Sequence, residues 1–220
     1  MMKEDIYAAR GGSVAQRVVV TAAAGAALAI AWWLLGWRFS AGNAARRWCL
    51  AAALLIYFVR LLFTQFVFMR RAMGWGEAAM IAPWVVCIYI FFAIVGGKSQ
   101  AEFGVAGVVG AAFFIFGSWM NSYAEYAREV WKRRPENRER LYTLGLFRYS
   151  RHPNYLGDLI LFTGLGLICG RWISAAVPAI MLCGFVFANI PLLDSHLHDH
   201  YGAAFDEYAR RTRKLIPFVY

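Results

Sequence analysis

Long apolar runs separated by short basic segments set the pattern of this chain. The first run covers about Val18 to Gly36 and is followed by Arg38, Arg46 and Arg47. The second covers about Trp48 to Met69, contains Arg60, and ends at Arg70 and Arg71. A third, about Ala78 to Val95, opens near Glu77 and carries Pro83; a fourth covers about Phe103 to Met120. A polar, basic stretch over 121–153 separates these from two more, about Asn154 to Gly170 and Trp172 to Leu193. A helix needs roughly 20 apolar residues to cross a bilayer. The pattern therefore predicts an all-α polytopic membrane helix bundle of six spans, with 1–220 as one integral membrane domain. Four of the spans fall in 1–120 and two in 121–220. From Asp194 to Lys214 the residues Leu197, Tyr201, Phe205 and Tyr208 form one stripe, which predicts an amphipathic helix on the membrane surface. Residues 1–17 lack a signal-peptide layout, since Glu4 and Asp5 stand where a basic region belongs.

Composition agrees. Of 220 residues, 60% are hydrophobic and 16% charged, against about half and a quarter in soluble domains. The net charge of +10 does not require nucleic acid as a partner. No nucleic-acid-binding motif is present, and cytoplasmic loops of membrane proteins are rich in Lys and Arg. The 121–153 segment holds eight Lys or Arg against four Glu, and the tail adds Arg210, Arg211, Arg213 and Lys214. Six spans place this segment, the 70–77 loop, the tail and both termini on one side, and the positive-inside rule makes it cytoplasmic. Arg38, Arg46 and Arg47 point the other way but are outnumbered. The four cysteines fall within or beside apolar runs with no CxxC pair, so they read as core residues.

Helical spacing groups the polar residues of the second half. Asn121 and Glu125 share a face, continued by Arg128; Asn154 and Asp158 share another; Asp194, His198 and Tyr201 a third. Arg151 and His152 stand just outside the fifth span. Intramembrane ionisable groups mark functional sites, so the three pairs, with Asn and Asp pointing into the bundle, read as walls of one polar pocket, against the plainer reading of helix caps and headgroup contacts. Asn, Asp and Glu suit ribose hydroxyls and amides. Lys132, Arg133 and Arg134, with Arg138 and Arg140, suit phosphates, although the run also suits anchoring to anionic lipid. Tyr149 and Tyr155 offer flat faces for a base. A nucleotide-like cofactor fits this set. Arg60, midway along the second span, must face the interior with Tyr57 and Arg71 on its face. A Tyr–Arg pair there polarises a carbonyl, or Arg60 pairs structurally with a carboxylate. The Gly164–Gly166 stretch reads as helix packing. His196, His198 and His200 alternate around a helix, so no metal is expected.

Gly145-Leu146-Phe147, followed by Arg151-His152-Pro153-Asn154-Tyr155-Leu156-Gly157-Asp158, resembles the C-terminal signature of the steroid 5-alpha-reductase and sterol reductase superfamily. Tyr201, Phe205 and Tyr208, followed by Arg213-Lys214-Leu215-Ile216-Pro217-Phe218, resemble its closing segment. The resemblance covers residues 121–220 well and the first half thinly. It implies NADPH held by Asn121, Glu125, Lys132, Arg140, Asn154, Asp158 and Tyr201, with Arg71 as a further basic contact. Tyr57 followed three residues later by Arg60 matches that family's carbonyl-binding pair. There a Tyr, helped by a membrane-embedded Glu, binds an enone that accepts hydride from NADPH. The first span here has no acid, and Glu77 stands only at a span edge. The same Arg-His-Pro string also resembles isoprenylcysteine and phospholipid methyltransferases, which use S-adenosylmethionine. Their Glu-Glu pair after the last span is absent here, where the residues read Leu193-Asp194-Ser195. The resemblance thus implies an NADPH-dependent reductase of a lipid-like substrate. A methyltransferase and a non-catalytic lipid-binding protein are the alternatives.

Overall fold

A computed structural model of the protein describes residues 13–69 and 71–220. The N-terminal stretch up to Gly12, on which the signal-peptide reading rests, and Arg70 lie outside the described residues. The helices are α1 (Val14–Trp33), α2 (Ala44–Phe63), α3 (Trp75–Gly97), α4 (Val105–Lys132), α5 (Pro153–Cys169), α6 (Ala176–Gly184), α7 (Ile190–Tyr201) and α8 (Ala203–Arg211). Turns of π-helix extend α1 over Leu34–Arg38 and α2 over Thr64–Phe68. Another, Phe185–Asn189, joins α6 to α7. Among the described residues, five helical runs have the length and apolarity to cross a membrane: Val14–Arg38, Ala44–Phe68, Trp75–Gly97, Val105–Lys132 and Trp172–Tyr201. α5 is apolar and 17 residues long, about 26 Å at 1.5 Å per residue. The molecule is an integral, multi-pass, all-α membrane protein.

Two element boundaries differ from the pattern. Polarity rises at Asn121, yet α4 continues to Lys132, because Ala124, Glu125, Ala127, Arg128 and Glu129 are strong helix formers. The change of polarity marks where the helix leaves apolar surroundings, not where it ends. The tail is not one amphipathic helix. It breaks at Gly202, whose φ of 51° suits glycine. α7 continues the last span, and α8 alone is the amphipathic piece, burying Phe205 and Tyr208 while Asp206, Glu207, Arg210 and Arg211 face outward.

The chain forms two compact units. The first is the chain up to Ala111 together with Leu165–Ser174. In it α1 packs chiefly on α3, through a buried stripe of Val20, Ala24, Ala27 and Ala31. Three alanines at helical spacing bring two backbones close, as membrane helix pairs require. α2 and α3 contribute Leu50, Leu54, Ile88, Tyr89 and Phe92, all at most 1% exposed. Arg46 is 2% exposed. Its guanidinium donates to the carbonyls of Ile168 (2.8 Å), Glu102 (2.8 Å) and Ala101. Arg47 donates to Leu35 O at 2.6 Å. These two arginines are therefore clamps on helix-end and loop carbonyls rather than free loop charges. They carry less weight in the charge asymmetry than their number implies.

The second unit is Ala112–Gly164 with Ala175–Tyr220. Tyr142 and Phe147 pack on Ala124. Phe185, Ile190 and Leu215 form a second cluster with Tyr155, Leu156 and Leu159. Here α4 and α5 touch backbone to backbone. A Cβ on Gly157 would stand 2.7 Å from the Asn121 nitrogen, and one on Gly117 2.5 Å from the Gly157 oxygen.

Candidate functional site

The close crossing at Gly117 and Gly157 positions the first polar group. Asn121 lies one turn after Gly117, and Asn154 one turn before Asp158 on α5. Asn121 Nδ2 donates to the Asn154 carbonyl at 2.9 Å, and Asn154 Nδ2 donates to Glu125 Oε1 at 3.0 Å. Glu125 Oε2 accepts from Arg128. Asn121 is buried, while Asn154 and Asp158 are half-buried. A carboxylate, two amides and an arginine are thus ordered on two facing helices, as the spacing predicts. Gly157→Ala is expected to force those helices apart. The cost is about 1–3 kcal/mol, as for other overpacked contacts, with loss of the Asn121–Asn154 hydrogen bond. The unfolding midpoint in detergent measures the first, and ligand affinity the second.

The second group sits where α4 ends. Lys132 Nζ donates to Tyr201 Oη at 2.8 Å and to the Arg138 (3.0 Å) and Arg140 carbonyls. It also lies 5.2 Å from the Tyr201 ring centroid. One ammonium thereby folds the 132–140 basic run back onto the end of α7. Arg140, Tyr201, Thr143 and Arg211 line a cleft of about 440 Å³ there, with Glu139 and Glu207 also in its wall.

The third group is the Arg-His-Pro string itself. Asp194 accepts from Arg151 Nη2 at 2.6 Å and lies 3.0 Å from His152 Nε2. Arg151 and His152 are 8% and 1% exposed. The backbone nitrogens of both donate to the tail, Arg151 to Arg213 O at 2.8 Å and His152 to Lys214 O at 3.2 Å. Tyr208 Oη donates to Phe147 O at 2.7 Å. Burial raises the Tyr208 phenol well above its ordinary value, so it remains a donor across the physiological range. Tyr155 stacks on His152 at 5.3 Å and on Phe185 at 4.5 Å, so its flat surface is already used in packing. Arg151, His152 and Asp194 thus brace the strip that precedes α5 against the tail. Sequence spacing grouped Asp194 with His198 and missed this triad. The missing signal was the pairing of tail backbone with residues 150–152, which no local pattern reports.

The remaining expected residues fall elsewhere. His198 Nδ1 lies 2.9 Å from Asp206 on an exposed surface. Tyr149 is 56% exposed, in a cleft with Arg148, Arg210 and Arg213. In the first unit, the Arg60 guanidinium lies 5.6 Å from the Tyr57 ring centroid, and Tyr57 packs on Tyr89 at 5.8 Å. This realises the Tyr–Arg pair. Arg71 donates with two nitrogens to Glu77, at 2.6 Å for the longer contact. Glu77 is therefore an acceptor for Arg71.

Comparison with known proteins gives two kinds of relative. Protein-S-isoprenylcysteine O-methyltransferase B of Arabidopsis thaliana is 34% identical over 88 residues, 40% of this chain and 45% of that protein. The 3-oxo-5-alpha-steroid 4-dehydrogenase 2 of Homo sapiens is 29% identical over 112 residues, 51% of this chain and 42% of that protein. The Protein-S-isoprenylcysteine O-methyltransferase of Schizosaccharomyces pombe is 27% identical over 79 residues, 36% of this chain and 34% of that protein. The chain thus spans less than half the length of these relatives. The resemblance to steroid reductases and isoprenylcysteine methyltransferases, read from the Arg-His-Pro string and the closing segment, holds in both directions. The family described as "Protein of unknown function (DUF1295)" matches residues 78–212, well over half of the chain, and the protein belongs to that family.

Proposed function

We propose that this protein is a membrane enzyme that binds NADPH through its second unit and reduces an activated C=C bond of a steroid- or isoprenoid-like lipid taken from the bilayer. The observation that carries this reading is the hydrogen-bonded set Asn121–Asn154–Glu125 in one unit with the Lys132 ammonium held on Tyr201. The carboxylate and amides suit ribose hydroxyls and a carboxamide. Lys132, Arg140 and the neighbouring arginines suit phosphates. NADPH carries both kinds of group, whereas S-adenosylmethionine carries a ribose, a sulfonium cation and no phosphate. When bound, NADPH would supply hydride to the β-carbon of the substrate, and a proton added at the α-carbon would complete the reduction. The chain's own residues bind and orient. Tyr57 donates a hydrogen bond to the substrate carbonyl, and Arg60, over its ring, holds the phenol in place. Glu77 is engaged by Arg71. The 70–77 loop, residues 121–153, the tail and both termini face the cytoplasm, the side on which most of the basic residues stand.

The methyltransferase similarity supports a second reading, transfer of a methyl group from S-adenosylmethionine to a lipid-like substrate. Thermal unfolding of the detergent-solubilised chain separates the two. NADPH at 100 times its dissociation constant is expected to add about 2.7 kcal/mol, and Asn154→Ala or Asp158→Ala to abolish the response. Stabilisation by S-adenosylmethionine alone would overturn the reductase reading. Stabilisation by neither would point to a non-catalytic lipid-binding protein.

A further inference from the structure

One cleft of the second unit is lined by none of Asn121, Glu125, Lys132 and Asn154, and shares only Arg211 with the cleft at Tyr201. Arg148, Arg210, Arg211 and Arg213 converge on it with Tyr149 and Phe218, around a space of about 310 Å³. Among the described residues its lining contains no carboxylate; Arg211 pairs with Glu207 at 3.3 Å. All four arginines are exposed. Like charges gathered in this way repel one another unless an anion sits among them.

The cleft is built on fixed backbone. Ser150 pairs with Arg213 in an isolated parallel β-bridge, and Arg151 N donates to Arg213 O at 2.8 Å, which holds Arg213 beside the segment that follows Arg148. The tail then turns tightly, with Leu215 N and Ile216 N both donating to Tyr220 O at 2.7 and 2.8 Å. This turn puts Phe218 at φ 67°, alone among the described non-glycine residues. A bulky residue in the left-handed region is strained. What the turn displays is apolar: Phe218 is 83% exposed and Val219 74%. Arg148 precedes the apolar helix α5 by five residues, so the cleft stands at the level where that helix meets water. Cations beside projecting aromatic and aliphatic side chains at that depth match an anionic phospholipid, with phosphate on the guanidiniums and chains against Phe218 and Val219.

We infer that the Arg148–Arg213 cleft binds the headgroup phosphate of an anionic membrane phospholipid and pins the C-terminal turn to the bilayer surface. The test uses the full chain in neutral detergent, titrated with short-chain phosphatidylglycerol, short-chain phosphatidylcholine, glycerol phosphate or inorganic phosphate, with retained lipid read by native mass spectrometry. Phosphatidylglycerol is expected to bind at least tenfold more tightly than phosphatidylcholine. R148Q/R213Q should remove that preference at an unchanged unfolding midpoint, and Phe218→Ser should weaken lipid binding. The double variant R38Q/R171Q loses the same charge at exposed positions elsewhere and should keep the preference. If R148Q/R213Q shifts the midpoint, Arg210→Gln probes the same cleft and is judged by the same preference. Any of three results would overturn the inference: a preference retained in the cleft variants, an equal loss in R38Q/R171Q, or displacement of phosphatidylglycerol by equimolar glycerol phosphate or inorganic phosphate, which would make it a soluble-phosphate site.

Discussion

Replacing Arg46 with methionine is expected to destabilise the protein by about 3–5 kcal/mol, the loss of three hydrogen bonds from one charged group, of which the one to Ile168 O is fully buried. Arg46 is 2% exposed, and its three nitrogens serve the carbonyls of Ile168, Ala101 and Glu102. Methionine keeps much of the side-chain volume, so the loss reports the acceptors and not a cavity. Ile168 lies in the last turn of α5, where carbonyls lack helical partners and the helix dipole favours a cation. Arg46→Lys should recover only part of the loss, because one ammonium cannot reach acceptors arranged for a planar fork. Gly170 gives an independent check. Its φ is 65°, and a Cβ there would meet Arg46 Nη2 at 2.7 Å, so Gly170→Ala should destabilise by the same route. The measurement is the unfolding midpoint in detergent. An Arg46→Met midpoint unchanged to within about 0.5 kcal/mol, the size of an ordinary surface substitution, would show that the clamp contributes nothing.

Arg46 also shows how far the hydrophobic pattern reaches. Runs of apolar residues locate the spans because backbone polar groups inside a bilayer must be satisfied within a helix. The helical fold and most of its element positions were legible for that reason. The role of Arg46 was not. Its acceptors lie 55, 56 and 122 residues away, and a basic residue between two spans looks like any loop charge. The end of α4 was hidden differently. Apolar periodicity stops at Met120 while helix propensity does not, so hydropathy alone ends the helix too soon. Gly202 was visible as a residue, but the stripe of Leu197, Tyr201, Phe205 and Tyr208 runs across it at helical spacing and masks the break.

The candidate site was legible to a similar depth. Asn121 with Glu125, and Asn154 with Asp158, were grouped by i, i+4 spacing, and the structure joins the two groups through Asn154. That step needed the crossing at Gly117 and Gly157, where each glycine is read only against the other helix. Lys132 and Tyr201 stood apart in the sequence as a phosphate group and a helix-end tyrosine, and the structure puts them 2.8 Å apart. Spacing sorts residues on one helix. It says nothing about which faces meet.

The same limit governs Asp194, and its substitution should have the second large effect. Asp194→Asn is expected to destabilise the protein by about 3 kcal/mol, the low end for breaking a buried ion pair. Arg151 then faces a neutral amide while its side chain is 7% exposed, and His152 loses the same acceptor. The tail contacts of Arg213, Lys214 and Tyr208 depend on residues 147–152 remaining in place, so protease should cut the tail of the variant first. Two further variants separate a brace from a ligand. Arg151→Met with Asp194→Leu replaces the whole pair by apolar groups and should recover much of the stability, giving a strong coupling in a double-mutant cycle. Asn154→Ala removes no buried charge and should leave the midpoint within about 1 kcal/mol, the net worth of one hydrogen bond, while abolishing the NADPH response. The reverse outcome, with Asp194→Asn folding normally but no longer responding to NADPH, would make Asp194 a cofactor contact and move the proposed site from the α4–α5 crossing to the base of α7.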